Sequence, residues 1–296
     1  MKPLDLPLPD DEFPKELVEV TMSYLDGLVT ADWEDPDGPI RLRDDLTEAD
    51  LESAKIYHDL RLLLQLLEQE GGANATAKGN LCRAFVRLWV EHARWPAEHR
   101  ELMLRTWKIE WDIPRLHHAR ILAEFDKLII HRKKRWILTK KGRDLLLNQP
   151  PGVLYRRAFL TMFRKLDITY FAPQHPAPIL QDGMGLLLWE VGNALKDWRP
   201  IQEIPRLLLP DSVLELVRSS LDGPRDRVEY VLMDHILRPL GWFGLVEHCE
   251  DPSKPRDRED WGGVPRYWQI TPLYSKFIQF KPPPLPGSAG ALLSLN

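Results

Sequence analysis

Residues 112–148, DIPRLHHARILAEFDKLIIHRKKRWILTKKGRDLLLN, constrain the fold more than any other stretch of the chain. Asp112 is placed to cap a helix, and Pro114 falls in its first turn, where a missing N–H costs little. Leu116, Ala119, Leu122, Phe125 and Ile129 recur at helical spacing, with His117, Arg120, Glu124 and Lys127 on the opposite face. Two β-favouring runs, 128–130 and 136–139, flank Arg132, Lys133, Lys134 and Arg135. That pattern predicts an antiparallel hairpin over 128–139 with its tip near Lys133. The basic run holds no Gly or Asn, so a tight primed turn is not specified. Thr139 is placed to cap a following helix, which Gly142 weakens slightly.

Helix, hairpin, helix is the plan of a winged-helix unit. Residues 225–278 repeat it: a helix stopped by Pro239-Leu240-Gly241, strands at Trp242–Glu247 and Tyr267–Thr271, then a helix. The loop between those strands, CEDPSKPRDREDWGGVP, reads as an oversized wing. The run from Thr76 to Leu81 echoes the run from Thr139 to Leu145, and Tyr267–Phe277 echoes it more weakly. Thr47 and Asp50 resemble a capping box opening a helix that Gly71-Gly72 ends. Residues 153–166 read as a basic amphipathic helix, and the Pro-broken segment 169–179 as a boundary. The expected fold is mainly α, with tandem winged-helix-like modules carrying small β-hairpin wings. Its divisions are an acidic, Pro-rich arm with a short helix (1–45), two modules (46–168 and 169–280) and a Pro-rich flexible tail (281–296).

Charge is strongly asymmetric along the chain. The formal net charge is only −4, yet residues 1–70 hold 19 acids against 6 bases, and residues 96–165 hold 17 bases against 7 acids. No apolar run approaches the roughly 20 residues of a membrane span, and the first residues lack the apolar core of a secretory signal. Two cysteines, Cys82 and Cys249, form neither a disulfide framework nor a CxxC pair, so a cytoplasmic protein is expected.

Residues 75–91, ATAKGNLCRAFVRLWVE, resemble the LTxxGNLxxxFV segment of the Ri-plasmid ORF-3-like family. Similar C-terminal regions occur in some proteins carrying an SEC-C zinc motif. Residues 112–146 resemble the family's DxPxLHxxRxLxExxGLxxxxxGxxxLTxxGRxLL segment. The resemblance runs in order over residues 47–280. It departs in lacking the domain that often precedes this region, and in having no SEC-C cysteine cluster. The Gly-Leu before the wing is Lys127-Leu128 here, and basic residues replace the usual wing glycine. The resemblance implies a winged-helix fold and leaves function open.

No residue set reads as catalytic, and no cofactor is expected. His117 and His118, near Asp112 and His131, raise the thought of a metal, but adjacent helical positions point about 100° apart and do not share one ion easily. Cys82 reads as a small core residue, and Cys249 lacks an identifiable third catalytic partner. The signal that stands out is basic: His117, Arg120, Lys127, Arg132, Lys133, Lys134, Arg135, Lys140, Lys141 and Arg143. Three readings stay open. The face is merely solvated, or it neutralises phosphates of double-stranded DNA, or it docks an acidic protein or the chain's own acidic arm. The expected function is a non-enzymatic DNA-binding or regulatory protein; the alternative is an interaction scaffold built on tandem winged helices.

Overall fold

A computed structural model describes residues 15–173, 178–221, 227–253 and 266–281. Helix α1 (Lys15–Thr30) and strand β1 (Ile40–Leu42) lead the chain. The first module follows: α2 (Lys55–Gln69), β2 (Ala73–Asn74), α3 (Arg83–His92), α4 (Ala97–Thr106), α5 (Pro114–Phe125), β3 (Ile129–Arg132), β4 (Arg135–Leu138) and α6 (Lys140–Leu147). Helix α7 (Pro151–Leu160) runs on into a π-helical turn, Thr161–Lys165. After α8 (Pro178–Asp182), the second module comprises α9 (Met184–Ala194), β5 (Arg199–Pro200), α10 (Ile204–Leu208), α11 (Asp211–Ser219), α12 (Val228–Leu232), α13 (Arg238–Trp242), β6 (Val246–Cys249), β7 (Tyr267–Ile270) and α14 (Pro272–Phe277). Strand β8 (Ile278–Phe280) closes the described chain.

The chain is mainly helical with small antiparallel sheets. Each module places its last strand in the middle of a three-stranded sheet, in the orders β2-β4-β3 and β5-β7-β6. The match extends to single residues. Leu128 and Leu245 each donate N–H back to the helix before the wing, to Ala123 and Leu240, across a left-handed residue, Lys127 or Gly244. Thr139 and Thr271 each return N–H to that leucine's carbonyl at 2.9 Å. His131 faces Trp136 across one ladder, and His248 faces Trp268 across the other.

The weaker echo in the sequence is therefore the structural one. Thr76 closes a loop instead, its hydroxyl accepting from Asn80 N–H at 3.1 Å, and α3 begins only at Arg83. Thr47 and Asp50 do form a reciprocal pair, but α2 starts at Lys55. Gly142 is a packing requirement and not merely a helix weakener, because a Cβ there would lie 2.3 Å from the Leu128 carbonyl oxygen. Pro239 does not stop its helix: the π-turn Met233–Leu237 precedes it, and α13 carries the proline in its first turn.

Helix α7 knits the modules together. Tyr155, Phe159 and Phe163 are fully buried, and their rings meet Phe243 and Phe277 of the second module. Tyr155 Oη donates to the Phe243 carbonyl at 2.7 Å.

Residues of α1, β1 and the turn between them pack into the core. Leu28, Trp33, Ile40 and Leu42 are core residues, β1 pairs with β8, and a Cβ on Gly185 of α9 would lie 2.1 Å from the Leu28 carbonyl oxygen. Asp44 pairs with Arg156, and Asp37 with Lys281, so these acids turn toward α7 and the residue that follows β8. Residues 1–14, the tail 282–296 and most of the second wing lie outside the described residues. Burying four such apolar side chains stabilises by about 6–12 kcal/mol, comparable to a whole domain's margin. A chain beginning at residue 46 is thus expected to lose cooperative urea unfolding. Retention of a sharp transition in the truncated chain would contradict this packing.

Candidate nucleic-acid interface

The first wing forms where the sequence places it. Arg132 pairs with Arg135 at the end of the ladder, leaving Lys133-Lys134 as a two-residue turn. Both lysines sit at positive φ, 50° and 60°, so the turn has the primed geometry that the residue types do not specify. A non-glycine residue in this region costs about 1–2 kcal/mol. Tertiary contacts hold it there: Ala75 N–H donates to the Lys134 carbonyl at 2.8 Å, and Arg135 Nη2 to the Gly71 carbonyl at 3.1 Å. The side chains of Arg132, Lys133, Lys134 and Arg135 are exposed, as are Lys127 and Lys140. Among the described residues, Lys127, Arg132, Lys133 and Lys134 make no ion pair.

The other predicted contacts are paired with acids or buried. Lys141 binds the buried carboxylate of Asp126 at 3.0 Å, which Arg157 also clamps with two bonds of 2.8 Å. Arg143 pairs with Glu68 at 2.8 Å. His117 and Arg120 are buried, so the polar stripe on α5 is not a solvent-facing stripe. Phe125, expected inside, is half exposed.

Both buried side chains turn toward Glu110, which has no exposed surface. One Glu110 oxygen accepts from Arg120 Nε at 2.6 Å and meets His117 Nδ1 at 2.8 Å, while the other accepts Leu81 N–H at 2.7 Å. Burial works to raise the Glu110 carboxyl, but His117, Arg120 and the Leu81 amide together hold it below the usual glutamate value. Arg120 also reaches Glu124 and lies over the Trp136 ring, so the cluster braces the wing from behind. Trp111 stacks on His117 at 4.1 Å, and the Tyr170 ring lies 6.1 Å from it. Asp112 caps the 3₁₀ turn Glu110–Asp112 rather than α5, accepting N–H from Lys108 and Ile109.

Consequently α5, the helix that precedes the wing, offers no side to a DNA groove. Its middle is buried from Leu116 to Ala123 apart from His118, and His118 contacts Phe171 and Trp242 at ring distances of 4.2 and 4.3 Å. The wing is what the first module leaves open. Glu110 was illegible in advance, being a lone acid with no spacing to mark it. Its nearest clue is the break at Asp112–Pro114, which lets residue 110 fold back over α5.

The model of the Y4jL N-terminal domain family matches residues 52–152, which is the first module and the start of α7. The uncharacterised protein y4jL of Sinorhizobium fredii (strain NBRC 101917 / NGR234) is 29% identical over 110 residues. The aligned region covers 36% of this chain and 49% of that protein, so the chain spans about half the length of the curated relative it matches. No solved structure matches. Among the described residues, no helix is long and apolar enough to cross a membrane.

Burial depresses the His118 imidazole to about 3, and the neighbouring His117 pushes the same way. An unfolded histidine titrates near 6.5, so between these values the unfolded chain takes up a proton that the folded chain refuses. Stability is therefore full above about pH 6.5 and falls as pH drops toward 3. By about pH 5 this one group should cost about 2 kcal/mol. His58 and His99 are shifted the same way, chiefly by burial. Urea midpoints measured at falling pH should show this slope, and His118→Phe should flatten most of it. An unchanged slope in the variant would contradict an imidazole held neutral at that place.

Proposed function

We propose that this chain is a non-enzymatic, cytoplasmic nucleic-acid-binding protein that grips the phosphate backbone of duplex DNA with the wing of its first module. The contacting residues are Lys127, Arg132, Lys133, Lys134, Arg135 and Lys140. The observation that carries the reading is the turn itself. Lys133-Lys134 occupies a position where Asn-Gly would be unstrained, so the sequence keeps charge at the tip at a cost in stability. Because α5 is enclosed, the protein would bind through phosphates without reading base edges, and a regulatory role would come from occupancy rather than from an operator sequence. The resemblance to Ri-plasmid ORF-3-like proteins belongs to the same proposal and adds a winged-helix pattern only.

A second reading, an interaction scaffold, is favoured by one observation. Trp111 and Tyr170 are exposed beside His117, large rings of the kind that anchor protein interfaces.

The double variant Lys133→Asn/Lys134→Gly separates charge from stability. It should unfold at higher urea, gaining about 1–2 kcal/mol, while binding duplex DNA more weakly than wild type. Replacing Arg132, Lys133, Lys134 and Arg135 by Ala should flatten the plot of log K against log salt by about 0.9 per lost phosphate contact. Duplexes of unrelated sequence should behave alike. Absence of binding at low salt, or strong preference for one sequence, would end the proposal, and the first of these outcomes would favour the scaffold.

A further inference from the structure

The two modules meet around a cavity of about 180 Å³. Ile56 and Asp59 of α2, with Pro114, Arg115 and His118 of α5, form the wall from the first module. Trp242 of α13 forms the wall from the second, and the exposed Lys55 lies at the rim. Nothing in the proposed wing contact uses this space. An apolar protein cavity of about 150 Å³ accommodates benzene, so this one suits a single six-membered ring with one small substituent.

His118 is the unusual element of the lining. Its ring is held between Phe171 and Trp242, and neither ring nitrogen has a hydrogen-bond partner among the described residues. A neutral imidazole carries one N–H and one lone pair, and a ligand in the cavity can meet them in place of solvent. Beside it, Asp59 takes two bonds from Arg115, from Nε at 2.7 Å and Nη2 at 2.6 Å. That pairing consumes the carboxylate but leaves Arg115 Nη1 over. With Lys55 added, the lining holds two cations against one carboxylate. Burial raises the Asp59 carboxyl, and Arg115 pulls it the other way.

We propose that this cavity binds a small aromatic carboxylate, with its ring against Trp242 and His118 and its carboxylate on the His118 N–H and Arg115. A ligand there touches α2, α5 and α13 together, so it would bind the folded pair of modules and not the unfolded chain. Binding of that kind stabilises by mass action.

The test uses the full chain with benzoate, benzamide and acetate as probes. Benzoate should raise the melting temperature saturably and shift the His118 imidazole signals in a heteronuclear NMR titration. Benzamide keeps the ring and loses the charge, so it should bind about ten- to hundredfold more weakly, the value of a hydrogen bond to a charged group. Acetate should produce no saturable shift. His118→Phe preserves the stack but removes the N–H, and should lower benzoate affinity by a similar factor. Should that variant fail to fold, Lys55→Met, at the exposed rim, supplies the charge test and should weaken benzoate but not benzamide. The proposal is overturned if benzoate leaves the His118 signals unmoved, if benzamide binds as well as benzoate, or if both folded variants bind benzoate like wild type.

Discussion

The aromatic seam on α7 is the interaction on which the rest of the structure depends. Tyr155, Phe159 and Phe163 are buried on one helix, and Phe243 and Phe277 meet them from the second module. Edge-to-face ring pairs of this kind add about 0.5–1.5 kcal/mol each beyond area burial. The hydrogen bond from Tyr155 to the Phe243 carbonyl fixes the register of that contact, because an unpaired carbonyl there would cost about 1–3 kcal/mol. The seam makes two similar modules into one core, and β1 with β8 closes the same unit from outside.

Joining the modules this way has a functional consequence. His118 of α5 lies against Trp242 of α13, so the helices that precede the two wings are brought face to face. A winged helix that reads DNA sequence keeps that helix free for a major groove. Here its middle is occupied: His118 packs on Phe171 and Trp242, and the buried Glu110 binds His117 and Arg120. Removing one partner of such a buried ionic cluster costs about 3–5 kcal/mol. What stays outside is the wing, whose strained lysine turn is tied down by Ala75 and Arg135.

The sequence made the helix–hairpin–helix order legible because local rules dominate there: Pro114 in a first turn, two β-favouring runs, and a threonine that caps α6 by accepting Gly142 N–H. It was misleading where tertiary contacts decide. His117 and Arg120 look solvent-facing on helical spacing until Glu110 supplies a buried counter-charge. The primed turn opposes the preference of lysine, and the bonds from Ala75 to Lys134 and from Arg135 to Gly71 account for it. The acidic composition of the leading residues hid Trp33, Ile40 and Leu42, which are core. The repeat between modules was faint because its marks are backbone bonds, from Thr139 to Leu128 and from Thr271 to Leu245, which many side chains could accompany.

If the seam governs the molecule, the two modules cannot open separately. Native-state hydrogen exchange with increasing denaturant reads this directly, since it assigns each amide the free energy of the smallest opening that exposes it. The amides of α5 in the first module and of α12 and α13 in the second should converge on one opening free energy, equal to that of global unfolding. Exchange of the second-module helices through a lower-energy opening, with α5 still protected, would contradict the account.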